Sequence, residues 1–249
     1  MTLAELQAWI VDFSAQSAPV DVVLIMSHWE SFAWGTMNTV LLVLVGLSGG
    51  ATMALPMAIA RWRGVPILSQ AIATFVYIFR GTPMLVQAYL LYYGLAQFAW
   101  VRESLFWTVL KEPWWCAAIA FAINSAAYQV EIYRGGLSAV PLGEIEAAVA
   151  VGMSPARSLR HIILPAALRR CLPMIANEVL FLLHGSAIAS MLTVTDVLGA
   201  GRKLNATYYL AYEGFLAATV IYMVLVWIIT RLLARIERLT LRHLNPLTN

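Results

Sequence analysis

Long apolar stretches alternate with short polar connections along this chain. An α-helix needs roughly 20 mostly apolar residues to cross the hydrocarbon core of a bilayer. Five segments meet that requirement: 34–60, 69–97, 115–133, 174–195 and 212–231. The pattern therefore predicts an all-α integral membrane protein with five transmembrane helices, whose two termini lie on opposite sides of the membrane.

Charged residues in the connections predict the orientation. Eleven Lys and Arg fall on one side of the five segments and four on the other. Because loops rich in Lys and Arg stay in the cytoplasm, we expect an external N-terminus and a cytoplasmic C-terminus. The eleven are Arg61, Arg63, Arg134, Arg157, Arg160, Arg169, Arg170, Arg231, Arg235, Arg238 and Arg242; the four are Arg102, Lys111, Arg202 and Lys203.

The same map predicts the organisation of the chain. Residues 1–33 carry acids but no Lys or Arg, and we expect an external segment that lies along the membrane as an interfacial helix. The transmembrane domain is predicted over 34–240 and includes a cytoplasmic loop at 134–172. Residues 241–249 are predicted to form a cytoplasmic tail.

Composition narrows the class of protein. The 249 residues are 61% hydrophobic and 12% charged, whereas a soluble domain carries about 25% charged residues. This excludes an ordinary cytosolic enzyme, a disordered tail and a disulfide scaffold. Cys116 and Cys171 lie far apart and match no metal-binding or redox spacing, so we expect both to be structural. A net charge of +3 does not indicate nucleic acid, and membrane lipid is the expected environment.

The second apolar segment is too long for one straight crossing and contains a break. Its 29 residues would extend about 43 Å as a helix, and Phe79-Arg80-Gly81-Thr82-Pro83 interrupts them. Proline removes a backbone donor and disfavours helix at the preceding residue. We predict a short helix to about Ile78, a break, and a crossing helix from Pro83. Arg80 either snorkels to the interface or tethers the break to neighbouring carbonyls or carboxylates.

Two short helices are predicted in the cytoplasmic loop. Glu144 and Glu146 fall in the first turn of the first helix, where the helix dipole favours acidic residues. Apolar residues then recur at helical spacing, and Gly152 stops the helix. Ser154-Pro155 starts the second helix, which is predicted to end at Leu164-Pro165. The two helices form a compact knob suited to binding by a partner protein.

Seven residues of this loop follow a long and discriminating spacing. Glu-Ala-Ala is followed by three residues, Gly, nine residues, Ile, one residue and Leu-Pro. This spacing resembles the signature of the inner-membrane permease subunits of ABC importers. The resemblance implies a type I importer permease, in which these residues couple the permease to its ATPase. They are Glu146, Ala147, Ala148, Gly152, Ile162, Leu164 and Pro165.

Further elements resemble the polar amino acid branch of that family. They are Phe79 to Pro83 and Asn124 to Gly136, and with the loop they cover roughly residues 36–240. Asn177 to Ser186 is most similar to permeases that carry histidine, lysine, arginine and ornithine, or the opines octopine and nopaline. Such a permease is located in the bacterial inner membrane.

The resemblance also implies partners. It implies a dimer of ATP-binding cassette ATPases that hold ATP-Mg, an external solute-binding protein, and a second permease subunit. The second permease is more often a paralogue than another copy of the same chain. No cofactor is expected in this chain itself.

Glu178 is the first candidate for binding the cargo. A charge inside a membrane segment costs at least about 2.5–3.5 kcal/mol on insertion scales, so it needs a partner or a wet cavity. Gly185 follows at i+7 on the same helix face, and together they predict a recess for a cationic group. Alternatively, Glu178 pairs with an arginine of the protein and Gly185 serves helix packing. Some members of the resembling family place an aspartate at the position of Gly185, which argues against a two-carboxylate cage here.

A polar stripe on the third segment supplies further candidates. Asn124, Tyr128 and Glu131 recur at i, i+4 and i+7, a face that lipid would reject. Asn124, Ser125 and Tyr128 are candidates for the α-amino or α-carboxylate group of a cargo, and Gln87 is a fourth candidate.

Two remaining polar residues are expected to have structural roles. Glu131 lies one turn before Arg134 and is expected to pair with it. His184 is predicted on a different wall from Glu178, where a hydrogen bond between helices is more common than a proton relay.

The function predicted from these features is translocation of a cationic amino acid or opine, driven by ATP that partner subunits hydrolyse. The chain itself is not predicted to be an enzyme, because it contains no Walker A loop, metal-ligand cluster or Ser-His-Asp arrangement. The alternative is an ion-coupled secondary transporter or channel, with Glu131, Glu178 and His184 as proton-coupling groups.

Overall fold

The computed structural model describes residues 22–210 and 212–241, and within those ranges the regular structure is helical with no strand. This confirms the all-α fold class. The predicted interfacial helix and the predicted tail lie mostly outside the described residues. The helices are α1 (Val22–Ser27), α2 (Trp29–Trp62), α3 (Pro66–Gly81), α4 (Met84–Tyr89), α5 (Ala99–Arg102), α6 (Trp107–Leu110), α7 (Pro113–Ser138), α8 (Leu142–Ala150), α9 (Pro155–Ser158), α10 (Leu164–Gly185), α11 (Val197–Tyr208) and α12 (Glu213–Leu241).

Turns of other helical types join several of these helices. Leu90–Gly94 and Leu159–Ile163 are π turns, while Leu95–Gln97 and Ser186–Leu192 are 3-10 turns. The π turn at Leu159–Ile163 joins α9 to α10, and Ser186–Leu192 extends α10 at its far end.

Three stretches of the described chain are long and apolar enough to cross a membrane. They are Trp29–Trp62, Pro155–Leu192 and Glu213–Thr240. The other two predicted crossing segments are also helical. However, α3 has 16 residues before the break, and α7 has 26 residues that include several polar side chains.

The break in the second segment has the predicted form but a slightly different position. α3 continues to Gly81, beyond the predicted end at Ile78, and α4 begins at Met84. Thr82 and Pro83 between them are extended. The restriction that Pro83 places on the preceding residue therefore acts at Thr82, whose Oγ1 donates to the Ile78 carbonyl at 2.8 Å.

The second helix of the knob does not end at Leu164-Pro165, which corrects the prediction. α9 continues through the π turn directly into α10, and Pro165 lies in the first turn of α10. Pro165 has no backbone N–H to donate. It is tolerated there because the π turn before it already departs from the α-helical hydrogen-bond pattern. Glu178 consequently lies past the middle of α10.

Close packing of α2 against α7 sets the register of the interior. A Cβ added at Gly46 would lie 2.9 Å from the Phe121 Cβ, and one at Gly50 would lie 2.8 Å from Nε2 of Gln129. Only glycine permits this approach of the two helices. Phe121 packs with Leu182 of α10 in one buried core, so α7 lies between α2 and α10 and presents polar residues to both.

Candidate functional site

A chain of hydrogen bonds runs through the interior from α10 along α7. Ser125 Oγ donates to Oε1 of Glu178 at 2.7 Å, and Gln129 Nε2 donates to Ser125 Oγ at 2.9 Å. Tyr133 Oη then donates to Oε1 of Gln129 at 2.8 Å. Glu178 is 4% exposed, and no residue in the described ranges donates to its Oε2. Two predicted site residues, Ser125 and Glu178, are thus in direct contact, and one carboxylate oxygen keeps free hydrogen-bonding capacity.

Gln87 and Asn124, two more predicted site residues, hold the break between α3 and α4. Gln87 Nε2 donates to the carbonyls of Phe79 and Thr82 and to Thr82 Oγ1, at 2.8–3.1 Å. Asn124 Nδ2 donates to the Phe79 carbonyl at 3.2 Å and to Oε1 of Gln87 at 3.0 Å. The break therefore satisfies its backbone carbonyls with side-chain amides.

Asn124 retains one unused group. Its side chain is 3% exposed, and Oδ1 has no donor among the described residues. A buried acceptor without a donor costs free energy. This oxygen is therefore a buried acceptor that keeps unused hydrogen-bonding capacity.

Tyr128 faces the break from one turn further along α7. The Arg80 guanidinium lies over the Tyr128 ring, 4.9 Å from its centroid. The Phe181 ring of α10 lies 5.2 Å from the Tyr128 ring. Arg80 also exerts an electrostatic attraction on the Glu178 carboxylate. The carbonyls of Phe79 and Thr82 in the break accept hydrogen bonds from side-chain amides, and among the described residues Arg80 donates to neither of them.

Gly185 is not part of this group. A Cβ added there would lie 3.5 Å from the Met84 sulfur at the start of α4. An added Cβ would therefore make an ordinary van der Waals contact with Met84 and would not clash. His184 beside it is exposed, whereas Glu178 is buried, so the two residues are on different walls as predicted.

Glu131 lies between two arginines. Its Oε2 accepts from Nε and Nη2 of Arg134 at 3.0 and 2.9 Å. Its Oε1 accepts from Nη1 of Arg61, which reaches across from the end of α2. The predicted pairing with Arg134 is confirmed. Arg61 was not predicted as a partner of Glu131, although an arginine at the end of an adjacent segment is a signal of such a pair.

The outward face of the knob carries large apolar side chains that are exposed in the part of the chain that the structure describes. Leu142, Val149 and Val151 are 74%, 65% and 76% exposed, whereas Ala148 on the opposite side is buried at 4%. Glu146 and Ala147 are also exposed. The knob is held at its base, where Arg170 of α10 donates to Glu144 at 3.2 Å.

Gly152 closes α8 in the left-handed conformation. Its φ is +77°, and a Cβ added there would contact nothing within 4 Å. Glycine adopts this conformation without the steric cost that other residues incur. Of the other signature residues, Ile162 lies in the π turn, while Leu164 and Pro165 start α10, so these three set the angle between α8 and α10.

Comparison with known protein families shows which family the chain belongs to. The family of binding-protein-dependent transport system inner membrane components matches residues 46–242, which include the knob, the break and all the polar residues above. The chain belongs to this family. It is therefore a transport component of the ABC importer type, and ATP hydrolysis in such systems takes place in a separate subunit.

Individual relatives of the family agree over most of the chain. The nopaline transport system permease protein NocM of Agrobacterium fabrum is 37% identical over 219 residues, which are 88% of this chain and 91% of NocM. The histidine/lysine/arginine/ornithine transport system permease protein HisM of Escherichia coli K12 is 34% identical, covering 90% of this chain and 98% of HisM.

A solved structure supports the fold assignment as well. A crystal structure of an amino acid ABC transporter with histidines contains a chain that superposes with a TM-score of 0.78 at 29% identity. The match covers 89% of this permease and 99% of that chain. The chain thus shares its overall helical fold with a chain of an amino acid ABC transporter.

Proposed function

We propose that this family member is a five-helix permease subunit with an external N-terminus and a cytoplasmic C-terminus, in the bacterial inner membrane. The five crossings are α2, the broken α3–α4 segment, α7, α10 with its 3-10 extension, and α12. The excess of Lys and Arg at the ends nearest the knob supports this orientation. The domain boundaries predicted from the sequence, with a transmembrane domain over 34–240, remain part of this proposal.

The knob is proposed to transmit the free energy of ATP hydrolysis. The observation that carries this proposal is the set of exposed apolar side chains on the knob, Leu142 and Val149 of α8 and Val151 just after it. A cluster of exposed apolar side chains on a membrane protein's aqueous face indicates a partner. Glu146 and Ala147 lie on the same exposed part, so α8 is the proposed coupling helix that docks into the ATPase.

The assembly follows from that role. We propose a dimer of ATPase subunits that bind ATP-Mg, an external solute-binding protein, and a second permease subunit that is a paralogue. This chain contributes no cofactor of its own.

The proposed cargo is a cationic amino acid or an opine. Relatives named for nopaline and for histidine, lysine, arginine and ornithine support this class. Within the chain, the free Oε2 of Glu178 and the free Oδ1 of Asn124 are acceptors suited to a guanidinium or ammonium group. Ser125 positions Glu178, Gln87 positions Asn124, and Tyr128 borders both. Gly185 lies on α10 next to Met84 of α4, and we propose that it borders the site at that end.

Co-purification tests the assembly. When the permease is expressed with its neighbouring transport genes and purified by a tag on this chain, we expect an ATPase and a second permease in stoichiometric amounts. Recovery of this chain alone, with uptake intact in reconstituted vesicles, would remove the proposal.

Cysteine labelling tests the orientation. Arg157 and Lys203 are exposed at opposite ends of the helices, while the native Cys116 and Cys171 are buried and give little background. In intact cells a membrane-impermeant maleimide should label Lys203→Cys and leave Arg157→Cys unlabelled. The reverse pattern would overturn the orientation.

A further inference from the structure

An open cavity of about 470 Å³ lies between α2, α3 and α7. Its polar lining consists of Arg61, Tyr77, Arg80, Tyr128 and Glu131. A free amino acid fits within such a volume. The cavity borders Tyr128, whose ring contacts Phe181 of α10, one turn after Glu178.

The charges around the cavity do not cancel. Glu131 is already shared between Arg61 and Arg134, which together carry one more charge than it does. Arg80 is exposed, and within the described ranges no carboxylate forms an ion pair with it. The cavity therefore has a surplus of positive charge, which favours an anionic group over a second cation.

The Arg80 side chain contacts the Tyr128 ring rather than the carbonyls of the break. Gln87 and Asn124 satisfy the carbonyls of the break, so the Arg80 side chain is not needed there. Its guanidinium lies on the Tyr128 ring at 4.9 Å. Contact with the ring occupies the flat face of a guanidinium, which leaves the N–H groups at its edge for a carboxylate.

We propose that Arg80, held on the Tyr128 ring, binds the α-carboxylate of the cargo in this cavity. The proposal rests on the proposed function and completes it, since the acceptors Glu178 and Asn124 Oδ1 serve the cationic groups of the same molecule. A guanidinium binds a carboxylate through two parallel hydrogen bonds, which a lysine cannot reproduce.

Equilibrium binding to the purified importer complex tests this proposal, without binding protein and without nucleotide. The two probes are labelled arginine and agmatine, which is arginine without its carboxylate. In the wild type, arginine should bind about ten- to a hundred-fold more tightly than agmatine, the usual worth of charged hydrogen bonds. In Arg80→Gln the affinity for arginine should fall to the level of agmatine, and the affinity for agmatine should not change.

Matched variants separate binding from structure. Arg63→Gln removes an exposed arginine that does not line the cavity and should leave both affinities unchanged. Arg80→Lys keeps the charge and should lose part of the preference; it also serves as the test if Arg80→Gln does not assemble.

Three results would overturn the proposal. Unchanged arginine affinity in Arg80→Gln means that Arg80 does not bind cargo. Equal losses for arginine and agmatine mean that Arg80 only supports the fold. If Arg80→Gln instead loses bound phosphatidylglycerol, and its arginine affinity in pure phosphatidylcholine nanodiscs equals that of the wild type, the anion is a lipid phosphate.

Should the wild-type complex bind neither arginine nor any other cationic amino acid or opine, the proposed cargo class fails, irrespective of Arg80.

Discussion

The side chains of the α7 interior are hydrogen-bonded to one another, whereas the apolar side chains of the α8 knob are exposed. On α7, Ser125, Gln129 and Tyr133 are linked to one another and to Glu178 of α10 by hydrogen bonds of 2.7–2.9 Å. On α8 and just after it, Leu142, Val149 and Val151 are mostly exposed.

This difference shows where each region can act. A polar group in the membrane interior must be paired within the protein, so only the acceptors that the chain leaves unused are available to a cargo. A single exposed apolar side chain does not need to be paired within the protein. A cluster of exposed apolar side chains, however, indicates a surface that binds a partner. The interior thus has few free atoms for a small molecule, and the knob has a free surface for a protein.

The largest expected effect is on the knob. Gly152→Leu introduces a side chain at φ +77°, which costs about 1–2 kcal/mol and displaces the docking face of α8. We expect membrane insertion to be retained and uptake to be abolished, as measured by labelled cargo in cells matched for expression. Glu146→Arg, which reverses a charge on that face, should have the same result.

Gly64 offers a matched control for Gly152. It has φ +70° and open space around its Cβ position, but it lies in the turn between α2 and α3 and is not part of the knob. Gly64→Leu should have a similar backbone cost and retain uptake. If both variants transport normally, the knob is not a docking element; if both fail equally, strain alone explains the loss.

Glu131 tests the paired interior with an intermediate effect. Glu131→Gln leaves Arg61 and Arg134 without their shared carboxylate. We expect the free energy of unfolding to fall by about 1–3 kcal/mol, as for lost charged hydrogen bonds, and the thermal transition of the purified complex to shift downward by several degrees. Glu103→Gln, at an exposed acid, should leave the transition in place. An unchanged transition in Glu131→Gln would show that the ion pairs contribute nothing to stability.

The smallest effect is expected at the end of the α7 hydrogen-bond chain. Tyr133→Phe removes only the bond to Gln129 and should lower the free energy of unfolding by about 0.5–1.5 kcal/mol, measured by denaturant titration of the complex. Tyr77 is 81% exposed, and Tyr77→Phe is the control. Equal free energies of unfolding for the two variants would contradict the account, because the hydrogen bond from Tyr133 to Gln129 would then contribute nothing to stability.

Local features of this permease were predictable from the sequence. The break at Thr82 and Pro83, the stop at Gly152 and the pairing of Glu131 with Arg134 all depend on residues within a few positions of each other. Proline geometry, glycine's left-handed conformation and the i, i+3 spacing of a helix determine them.

Features that depend on the register between helices were not predictable in this way. Arg61 reaches Glu131 because α2 packs closely on α7 at Gly46 and Gly50, and nothing in the spacing along the chain sets that register. The stacking of Arg80 on Tyr128 has the same origin.

The continuation of the helix through Pro165 was also not predictable. Proline is a helix-ending signal in most contexts, and a π turn that accommodates it has no recognisable sequence pattern. The hydrogen bonds of Gln87 and Asn124 to the break likewise became evident only from the arrangement of α4 and α7.

The central claim is that cargo binding and coupling reside in separate regions of this chain, Glu178 in the interior and the knob outside. Equilibrium binding of labelled arginine to the purified importer complex, without binding protein or nucleotide, tests this most directly. Glu178→Gln keeps the size and one acceptor but removes the charge, so arginine affinity should fall about ten- to a hundred-fold. Gly152→Leu should bind arginine as tightly as the wild type. Unchanged affinity in Glu178→Gln, or an equal loss in Gly152→Leu, would contradict the account.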